Sequence, residues 1–496
     1  MMKDAGTTLQ QRALATAVAF AIIAPAAEAA TIAVDSNDDS AASTACNLRK
    51  ALASVNAAAA VSGCAVRTTG SFGSNDTVTF VNLADSVVTL AQGQLMITLP
   101  VTIEGHNLTI DANHASSAVY IQNAGLTLND ALVRNGSDLY LAGGINVVSG
   151  TLQLNRVEMS GNQGGSGGAI EAFSATFGQG VVLNDSIIHD NHGYSGGAIF
   201  GQNSKLGMSG TTIYGNTAQN AGGAVAVDGG SLVVTNCVIT GNSAGSGGAI
   251  TNSGDVQIKA SILAGNGATM QGGAVAMSSS SATLTIAEST LSGNSAANGG
   301  AIGTGFGGTF VMTNSTLSGN TASSKGGAFY ANKYPQLTLT NVTVSGNTAS
   351  NGGGFFITEA AGKYGTTSLA LSNTIASANT AAAGKDIGGV FPPPSGSNNL
   401  FGSALNTPPL NDSGNHNLFT DAPGLGPLQD NGGPTDTLAL LVGSPAIGAG
   451  SNSAAAALTT DQRGPGFARI AGASVDIGAF EYLGDRIFAA NFESGP

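Results

Sequence analysis

One phrase recurs through the middle of the chain and constrains the fold more than any other feature. Between about residues 154 and 387, a short apolar run is followed by Gly-Asn, a few small residues, and then Gly-Gly-Ala with an apolar residue. The asparagine returns every 24 to 32 residues, at Asn162, Asn191, Asn216, Asn242, Asn266, Asn294, Asn320, Asn347 and Asn379. A repeat of this length is typical of solenoids, in which each unit buries its apolar face against its neighbours.

Each repeat also holds two or three short runs rich in Val, Ile, Leu and Thr and bounded by Gly, Asn or Ser, such as residues 232–235. Such runs predict strands joined by turns. The period is too short for four-stranded propeller blades, and no amphipathic helices separate the strands. The sequence therefore predicts an all-β fold, a parallel β-helix. With strands ~4.8 Å apart, nine coils span roughly 43 Å. The rule for parallel crossovers makes it right-handed.

The recurring residues have physical roles in such a coil. We expect Asn to accept the left-handed backbone of a sharp corner, and its amides to hydrogen-bond up and down a stacked column. The Gly-Gly pair would form a second tight corner, where φ is positive or two backbones approach closely. The motif is thus interpreted as scaffold, and function is expected at positions that the repeat leaves free.

The amino-acid composition and the N-terminal residues indicate where in or outside the cell the protein is located. The formal net charge is −13, only 9% of residues are charged, and no basic patch is present, so nucleic acid is not an expected partner. Lys3 and Arg12 precede the apolar run 13–24, and Ala27-Glu28-Ala29 offers a cleavage site, so residues 1–29 are predicted to be a signal peptide. No later apolar stretch is long enough for a transmembrane helix. We expect a secreted, extracellular or outer-surface protein.

A short helix is predicted in residues 30–75, which we interpret as an N-terminal cap. Leu48, Ala51, Leu52 and Val55 have helical spacing, and a helix here would cover the open edge of the first coil. Cys46 and Cys64 flank this segment, and in an oxidising compartment we expect them to form a disulfide. Cys237, within the array, is expected to be a small buried residue.

Several segments resemble known families. The strand, the Asp-rich loop and Cys46-Asn47-Leu48-Arg49-Lys50-Ala51 resemble the N-terminal domain named for its Cys-Ser-Leu-Arg-Glu-Ala motif, with Asn47 for Ser and Lys50 for Glu. Residues 76–153, the irregular first coils, resemble the opening of pectate-lyase-like β-helices. The regular repeats, 154–389, resemble those of polymorphic outer-membrane proteins. The last resemblance implies an adhesive or passenger module and an association with an outer membrane.

The C-terminal part also resembles a known module. Residues 390–420, which include a triple proline, are predicted to be linker or loops. Residues 421–484 then carry four blocks, at 430–435, 443–450, 460–465 and 475–481, which resemble the choice-of-anchor Q module that closes bacterial surface β-helices. Arg463 is expected to be an internal salt-bridge partner, for instance of Asp476. The tail, 485–496, is short and could be a secretion signal.

The strand after Gly-Gly-Ala offers candidate site residues. If its Ile or Val points inward, the next residue points outward. That outward column reads Glu171, Phe200, Ala226, Thr251, Ala276, Gly303, Tyr330 and Phe356, and two residues later it reads Phe173, Gln202, Asp228, Ser253, Ser278, Gly305, Asn332 and Thr358. Aromatic and amide side chains on a flat face suit carbohydrate, so the predicted ligand-binding residues are Phe173, Phe200, Gln202, Tyr330, Asn332 and Phe356. Glu171 and Asp228 lie two coils apart, or ~9.6 Å, near the spacing of an inverting glycosidase pair.

A second candidate is the sequence His189-Asp190-Asn191-His192, where Asp190 replaces the usual glycine and Tyr214 should lie one coil further on. His189, Asp190 and His192 could form a metal or acid–base site, and the alternative is a solvated corner. No cofactor is predicted otherwise. Carboxylates could hold Ca²⁺, but the glycine-rich calcium nonapeptide motif is absent.

Two functions follow from these observations. The first is a binding or adhesion module that recognises a glycan or another surface ligand. The second is an extracellular polysaccharide-degrading enzyme, a lyase or a glycoside hydrolase, that uses the outward strand face. A lyase needs a base, and the array lysines Lys205, Lys325 and Lys333 have no Asp cluster beside them at matching positions.

Overall fold

The computed structural model describes residues 29–484, except 62, 65–69, 74, 84, 175–179, 359–360, 363–364, 390–394 and 403–412. The predicted signal peptide (apart from its last residue), the triple proline and the predicted tail lie outside these residues. The described chain winds as a right-handed parallel β-helix of about 12 turns. This confirms the predicted fold class.

One wall of the helix is a twelve-stranded parallel sheet in which each strand pairs with the strand one turn further on. For example, Ile170 pairs with Ile145 on one side and Ile199 on the other. These Ile and Val side chains point into the core. The strands are Leu95–Ile97, Val119–Gln122, Ile145–Val148, Ile170–Phe173, Ile199–Gln202, Val225–Asp228, Ile250–Asn252, Val275–Met277, Ile302–Thr304, Phe329–Ala331, Phe355–Ile357 and Ile387–Gly389.

A shorter wall, the nine-stranded sheet, carries small and polar residues. Its strands are Ser137–Asp138, Gln163–Gly164, His192–Ser195, Thr217–Ala221, Ser243–Ser246, Gly267–Gln271, Ser295–Asn298, Thr321–Lys325 and Thr348–Asn351. The register between neighbouring strands shifts near the C-terminal end of most pairs, as at Gly193 and Ser195. Such bulges redirect the chain into the next corner.

The remaining wall is a large sheet of 23 strands, usually two per turn with a bend between them. Its strands are Thr31–Val34, Asp76–Phe80, Val87–Thr89, Val101–Asp111, Gly125–Arg134, Thr151–Asn155, Glu158–Ser160, Gly180–Asn184, Ile187–His189, Lys205–Ser209, Thr212–Tyr214, Ser231–Thr235, Val238–Thr240, Asp255–Lys259, Ile262–Ala264, Thr283–Ala287, Thr290–Ser292, Thr309–Ser318, Gln336–Ser345, Ser368–Ser372, Ile375–Ala376, Leu400–Phe401 and Leu418–Phe419. Two short antiparallel pairs lie outside the walls: Ala361–Gly362 with Gly365–Thr366, and Leu425–Gln429 with Thr437–Leu440.

The asparagines form a buried ladder along the corner between the large and the nine-stranded sheets. Each side-chain amide donates to the side-chain oxygen one turn further on, as from Asn266 Nδ2 to Asn294 Oδ1 at 3.0 Å. The ladder ends on a carboxylate, because Asn379 Nδ2 donates to Asp386 Oδ1 at 2.8 Å. Burial raises the pKa of Asp386.

The predicted ladder is therefore present, but the expectation that Asn adopts the left-handed backbone is wrong. The positive φ belongs to the residue before it, for example Gly265 at 62° and Gly293 at 61°. The reason is that the asparagine side chain points into the coil to reach its neighbours, so the preceding residue makes the bend. Asp190 takes this position before Asn191, with φ of 52°.

Both glycines of the Gly-Gly pair are needed, for different reasons. The first has positive φ, as Gly222 does at 64°. The second lies against the next coil, since a Cβ added to Gly223 would be 2.1 Å from the Gly248 carbonyl oxygen. A side chain at the second position would force the coils apart.

A helix, α1 (Leu48–Ala57), packs against the first coils. Leu48, Ala51, Leu52 and Val55 are buried in the same core as the coil residues, as their spacing predicts. The Asn47 side chain accepts a hydrogen bond from Lys50 N at 3.0 Å and so caps the helix. A disulfide joins Cys46 and Cys64, and Cys237 is buried.

Residues 425–482, with the short helix α2 (Asn452–Ala455), pack on the bend of the large sheet over the last coils. Buried threonines of the large sheet attach these residues to the coils through hydrogen bonds. Thr290 Oγ1 donates to Asp436 O at 2.6 Å, and Thr316 Oγ1 donates to Gln462 Oε1 at 2.6 Å.

The expected pairing of Arg463 with Asp476 is wrong. Arg463 forms a fully buried ion pair with Asp461, Nη2 to Oδ2 at 2.6 Å, and its guanidinium lies between the rings of Phe467 and Phe480. The tight turn that follows Asp461 brings the two side chains together. Asp476 instead accepts hydrogen bonds from backbone amides, and burial raises its pKa.

Candidate functional site

The outward column of the twelve-stranded sheet has the predicted register: Glu171 pairs with Phe200, and Tyr330 with Phe356. The column is not a continuous aromatic band. At the intervening coils the outward residues are buried by the preceding turns; Thr251, for example, donates a hydrogen bond to Ser246 O at 2.8 Å. The structure therefore separates the predicted ligand-binding residues into two patches, with Phe200 and Tyr330 five coils or roughly 24 Å apart.

The N-terminal patch consists of Phe173, Phe200, Gln202 and Asp228 on three successive coils. The Phe173 ring is 40% exposed and Phe200 is half-buried. Gln202 Nε2 donates to Asp228 Oδ2 at 3.1 Å. An aromatic surface thus lies beside a fixed amide and carboxylate.

Glu171 lies apart from Asp228, although both were predicted as a catalytic pair. Its carboxyl group is close to the Ser166 side chain, in the turn before its own strand, and to the Ala142 amide, in the turn of the preceding coil. Asp228 lies two coils further on and bonds to Gln202 and Ser253. Burial raises the pKa of Glu171, an effect that the charge of Asp138 increases and the groups of Ser166 and Ala142 oppose. The two carboxylates do not face a common space.

The C-terminal patch consists of Lys325, Tyr330, Asn332 and Phe356. The rings of Tyr330 and Phe356 stack, with centroids 6.4 Å apart and planes inclined by 18°. Lys325 Nζ lies 5.1 Å from the Phe356 centroid, within cation–π range. Burial raises the pKa of Tyr330, so the phenol is neutral at physiological pH. This arrangement is a ring platform bordered by one amide and one positive charge.

Sequence reasoning did not assign Lys325 to this patch. It lies at the end of a nine-stranded-sheet strand, and the register shift between Ala322 and Lys325 turns it toward Phe356. Bulge positions are not visible in the spacing of the repeat.

His189 lies between two carboxylates and on Tyr214, which the predicted register placed one coil away. Its Nδ1 is 2.7 Å from Asp190 Oδ2 and its Nε2 is 3.1 Å from Glu158 Oε1. The His189 and Tyr214 rings are parallel, with centroids 4.8 Å apart. Burial by itself lowers the pKa of His189, but the hydrogen bonds and charges of the two carboxylates outweigh it and raise the pKa.

The structure does not bring His192 to this cluster. His192 is on the nine-stranded sheet, where its Nδ1 lies 2.7 Å from Thr217 Oγ1. Among the described residues, no group of three or more His, Cys, Asp or Glu side chains is arranged to hold a metal ion. Since both ring nitrogens of His189 face carboxylates, the geometry fits a charged, structural histidine.

A comparison with protein families bears on the repeats near the C-terminal patch. Residues 314–332, which include part of the C-terminal patch, match the Chlamydia polymorphic membrane protein (Chlamydia_PMP) repeat. No curated protein matches the chain. Within the described residues no helix is long and apolar enough to cross a membrane. The matched repeat and the β-helix together indicate a β-helix protein associated with a cell surface or an outer membrane.

Proposed function

We propose that the protein is a surface-displayed binding or adhesion module that recognises glycans through the outward face of the twelve-stranded sheet. The observation that carries this proposal is the C-terminal patch, where the stacked rings of Tyr330 and Phe356 lie beside Asn332 and Lys325. Its conformation is fixed by the coil, because every strand is paired on both sides. Little ordering is then required on binding.

The chemistry of the patch suits a sugar with an acidic group. Aromatic rings bury the C–H face of a sugar while amides exchange hydrogen bonds with its hydroxyls. Lys325 adds a positive charge that a uronate or another acidic substituent would approach. The N-terminal patch lacks such a charge and carries Asp228, so it would suit a neutral part of the same chain.

The proposal is tested by binding of the purified protein to arrays of neutral and acidic glycans. We expect saturable binding to acidic glycans. The Tyr330→Ala and Phe356→Ala variants should each bind at least about tenfold more weakly, as expected for anchor residues. Val233→Ala, an exposed substitution on the large sheet, is the matched control and should bind normally. Absence of binding, or equal binding by all three variants, would reject the proposal.

Export and anchoring belong to the same proposal. Residues 1–29 would be removed as a signal peptide, and residues 421–484 would act as the choice-of-anchor Q-like closing module at the cell surface. The ordered packing of residues 425–482 on the last coils supports a closing role. Detection of the mature N-terminus near Ala30 in the exported protein would test the first part.

A polysaccharide-degrading enzyme is the second candidate, and one observation favours it. Burial raises the pKa of the half-buried Glu171 carboxyl. A carboxyl group whose pKa is raised by burial suits general acid catalysis. The test is turnover of acidic and neutral polysaccharides by the protein and by Glu171→Gln. New reducing ends or unsaturated uronates that disappear in the variant would establish the enzyme, and binding without turnover would exclude it.

A further inference from the structure

A depression of about 260 Å³ lies on the outer surface of the nine-stranded sheet, away from both patches. It is lined by Asp138, Leu139, Gln163, His192, Tyr194 and Gln219, with the glycines Gly164 and Gly165 at its base. We call it the Asp138 depression. Of these residues, only His192 was a candidate site residue in the sequence.

One wall of the depression is a turn with two exposed apolar side chains. From Ser137 to Ile145 this turn is one residue longer than the paired segment from Gln163 to Ile170 on the next coil. Leu139 and Tyr140, in this turn, are 85% and 83% exposed. Leu139 lines the Asp138 depression.

This turn is rigid although it projects. Asp138 Oδ1 accepts hydrogen bonds from Tyr140 N at 2.8 Å and Leu141 N at 2.9 Å. Gly165 N donates to the carbonyl oxygens of Asp138 and Leu141, both at 2.9 Å. Gly165 permits the contact, because a Cβ there would lie 2.0 Å from Leu139 O. The backbone of this turn is therefore fixed before any ligand arrives.

The Glu171 carboxyl lies beside the same turn. The Ser166 side chain and the Ala142 backbone amide both interact with it and lower its pKa, against the larger effect of burial. Ser166 follows Gly165, and Ala142 belongs to the turn that carries Leu139 and Tyr140. These contacts link the turn to the next coil.

The lining selects the chemistry of the ligand. Tyr194 presents a half-exposed ring, and the Gln163 and Gln219 side chains offer both donors and acceptors. No Lys or Arg lines the depression, and Asp138 repels anions. The volume is below the ~300 Å³ at which pockets for larger ligands begin. These properties fit one uncharged ring bearing several hydroxyls.

We propose that the Asp138 depression binds a single neutral sugar residue, stacked on Tyr194 and hydrogen-bonded by Gln163 and Gln219. The proposal goes beyond the two patches on the twelve-stranded sheet and uses a different face. A glycan chain could engage both faces through separate residues.

The test uses the full chain and a set of neutral methyl glycosides (glucoside, galactoside, mannoside and N-acetylglucosaminide), with methyl glucuronide as the acidic counterpart. Saturation-transfer NMR reports contact, and titration gives the dissociation constant. We expect at least one neutral glycoside to bind with a millimolar constant and the glucuronide not to bind. Tyr194→Ala should weaken binding about tenfold and Gln163→Ala about threefold to tenfold.

Both substitutions are at surface side chains, so the fold should be retained, which circular dichroism verifies. Phe306→Ala removes another exposed ring and is the control that should leave binding unchanged. Binding of the glucuronide alone, or no binding of any neutral glycoside, would overturn the proposal. Loss of neutral-sugar binding in Tyr330→Ala but not in Tyr194→Ala would also overturn it, while supporting a site on the twelve-stranded sheet.

Discussion

Replacing a central asparagine of the ladder by aspartate tests the scaffold at the level of single atoms. Asn266 is buried, and its Nδ2 donates to Ile239 O at 2.9 Å, Ala264 O at 3.2 Å and Asn294 Oδ1 at 3.0 Å. Its Oδ1 accepts from N and Nδ2 of Asn242. In Asn266→Asp the accepting oxygen is retained, but a second oxygen faces three oxygens in place of the donor.

The expected cost follows from these contacts. The two amide hydrogens are shared among these three acceptors, so at ~1 kcal/mol per hydrogen their loss costs ~2 kcal/mol, and an uncompensated buried charge raises the total to about 3–5 kcal/mol at pH 7. Burial raises the pKa of the new carboxyl above its unfolded value of ~3.9. The folded state then binds the proton more tightly, so the loss of stability is smallest below that value and grows as pH rises through the folded pKa.

Urea unfolding of the full chain, followed by far-ultraviolet circular dichroism at pH 4 and pH 7, measures this effect. Comparison of transition midpoints is appropriate because long repeat arrays need not unfold in two states. Asn220→Asp is the control, since Asn220 is exposed and makes one long bond, 3.3 Å, to Ser195 Oγ. It should change stability by no more than about 0.5 kcal/mol. If Asn266→Asp were as stable as the parent protein at pH 7, the role of the ladder would be refuted.

Three further predictions follow from single contacts. Cys46 and Cys64 are 18 residues apart, so replacing both by Ser should lower the free energy of unfolding of the N-terminal cap by about 3 kcal/mol. The loss should appear as faster proteolysis of residues 30–75, and unchanged proteolysis would contradict it. The raised pKa of His189 gives stability that is full below its unfolded value of ~6.5 and is lost as pH rises through the folded value, so His189→Gln should flatten the dependence of the melting temperature on pH in that window. Arg463→Met leaves the carboxylate of Asp461 buried without its ion pair and should destabilise the C-terminal part by about 3–5 kcal/mol, as limited proteolysis at residues 425–482 would show.

The coil itself could be predicted from the sequence because its determinants are local and repeated. The period fixed the stacking, and the alternation after Gly-Gly-Ala placed Phe200 beside Glu171 and Phe356 beside Tyr330. The sequence did not reveal which corner residue has the left-handed backbone: we expected the asparagine, but it is the preceding glycine. Both residues occur at the corner in almost every repeat, so their order in the backbone bend cannot be read from spacing.

The candidate sites depend on the exceptions to the repeat, and these were predicted less well. The Glu171 carboxyl interacts with the Ala142 amide in the turn of the preceding coil. A bulge brings Lys325 onto Phe356. Such local contacts and register shifts decide which face a side chain reaches, and nothing in an isolated sequence gives their direction.

The central claim is that the repeat provides the scaffold and that ligands bind to outward side chains of the twelve-stranded sheet. Hydrogen–deuterium exchange of the full chain, with and without a glycan identified on the array, tests it most directly. We expect added protection at the turns and strands around residues 325–332 and 355–358, with the exchange of the large sheet around residues 231–240 unchanged. Protection confined to the large sheet would contradict the account.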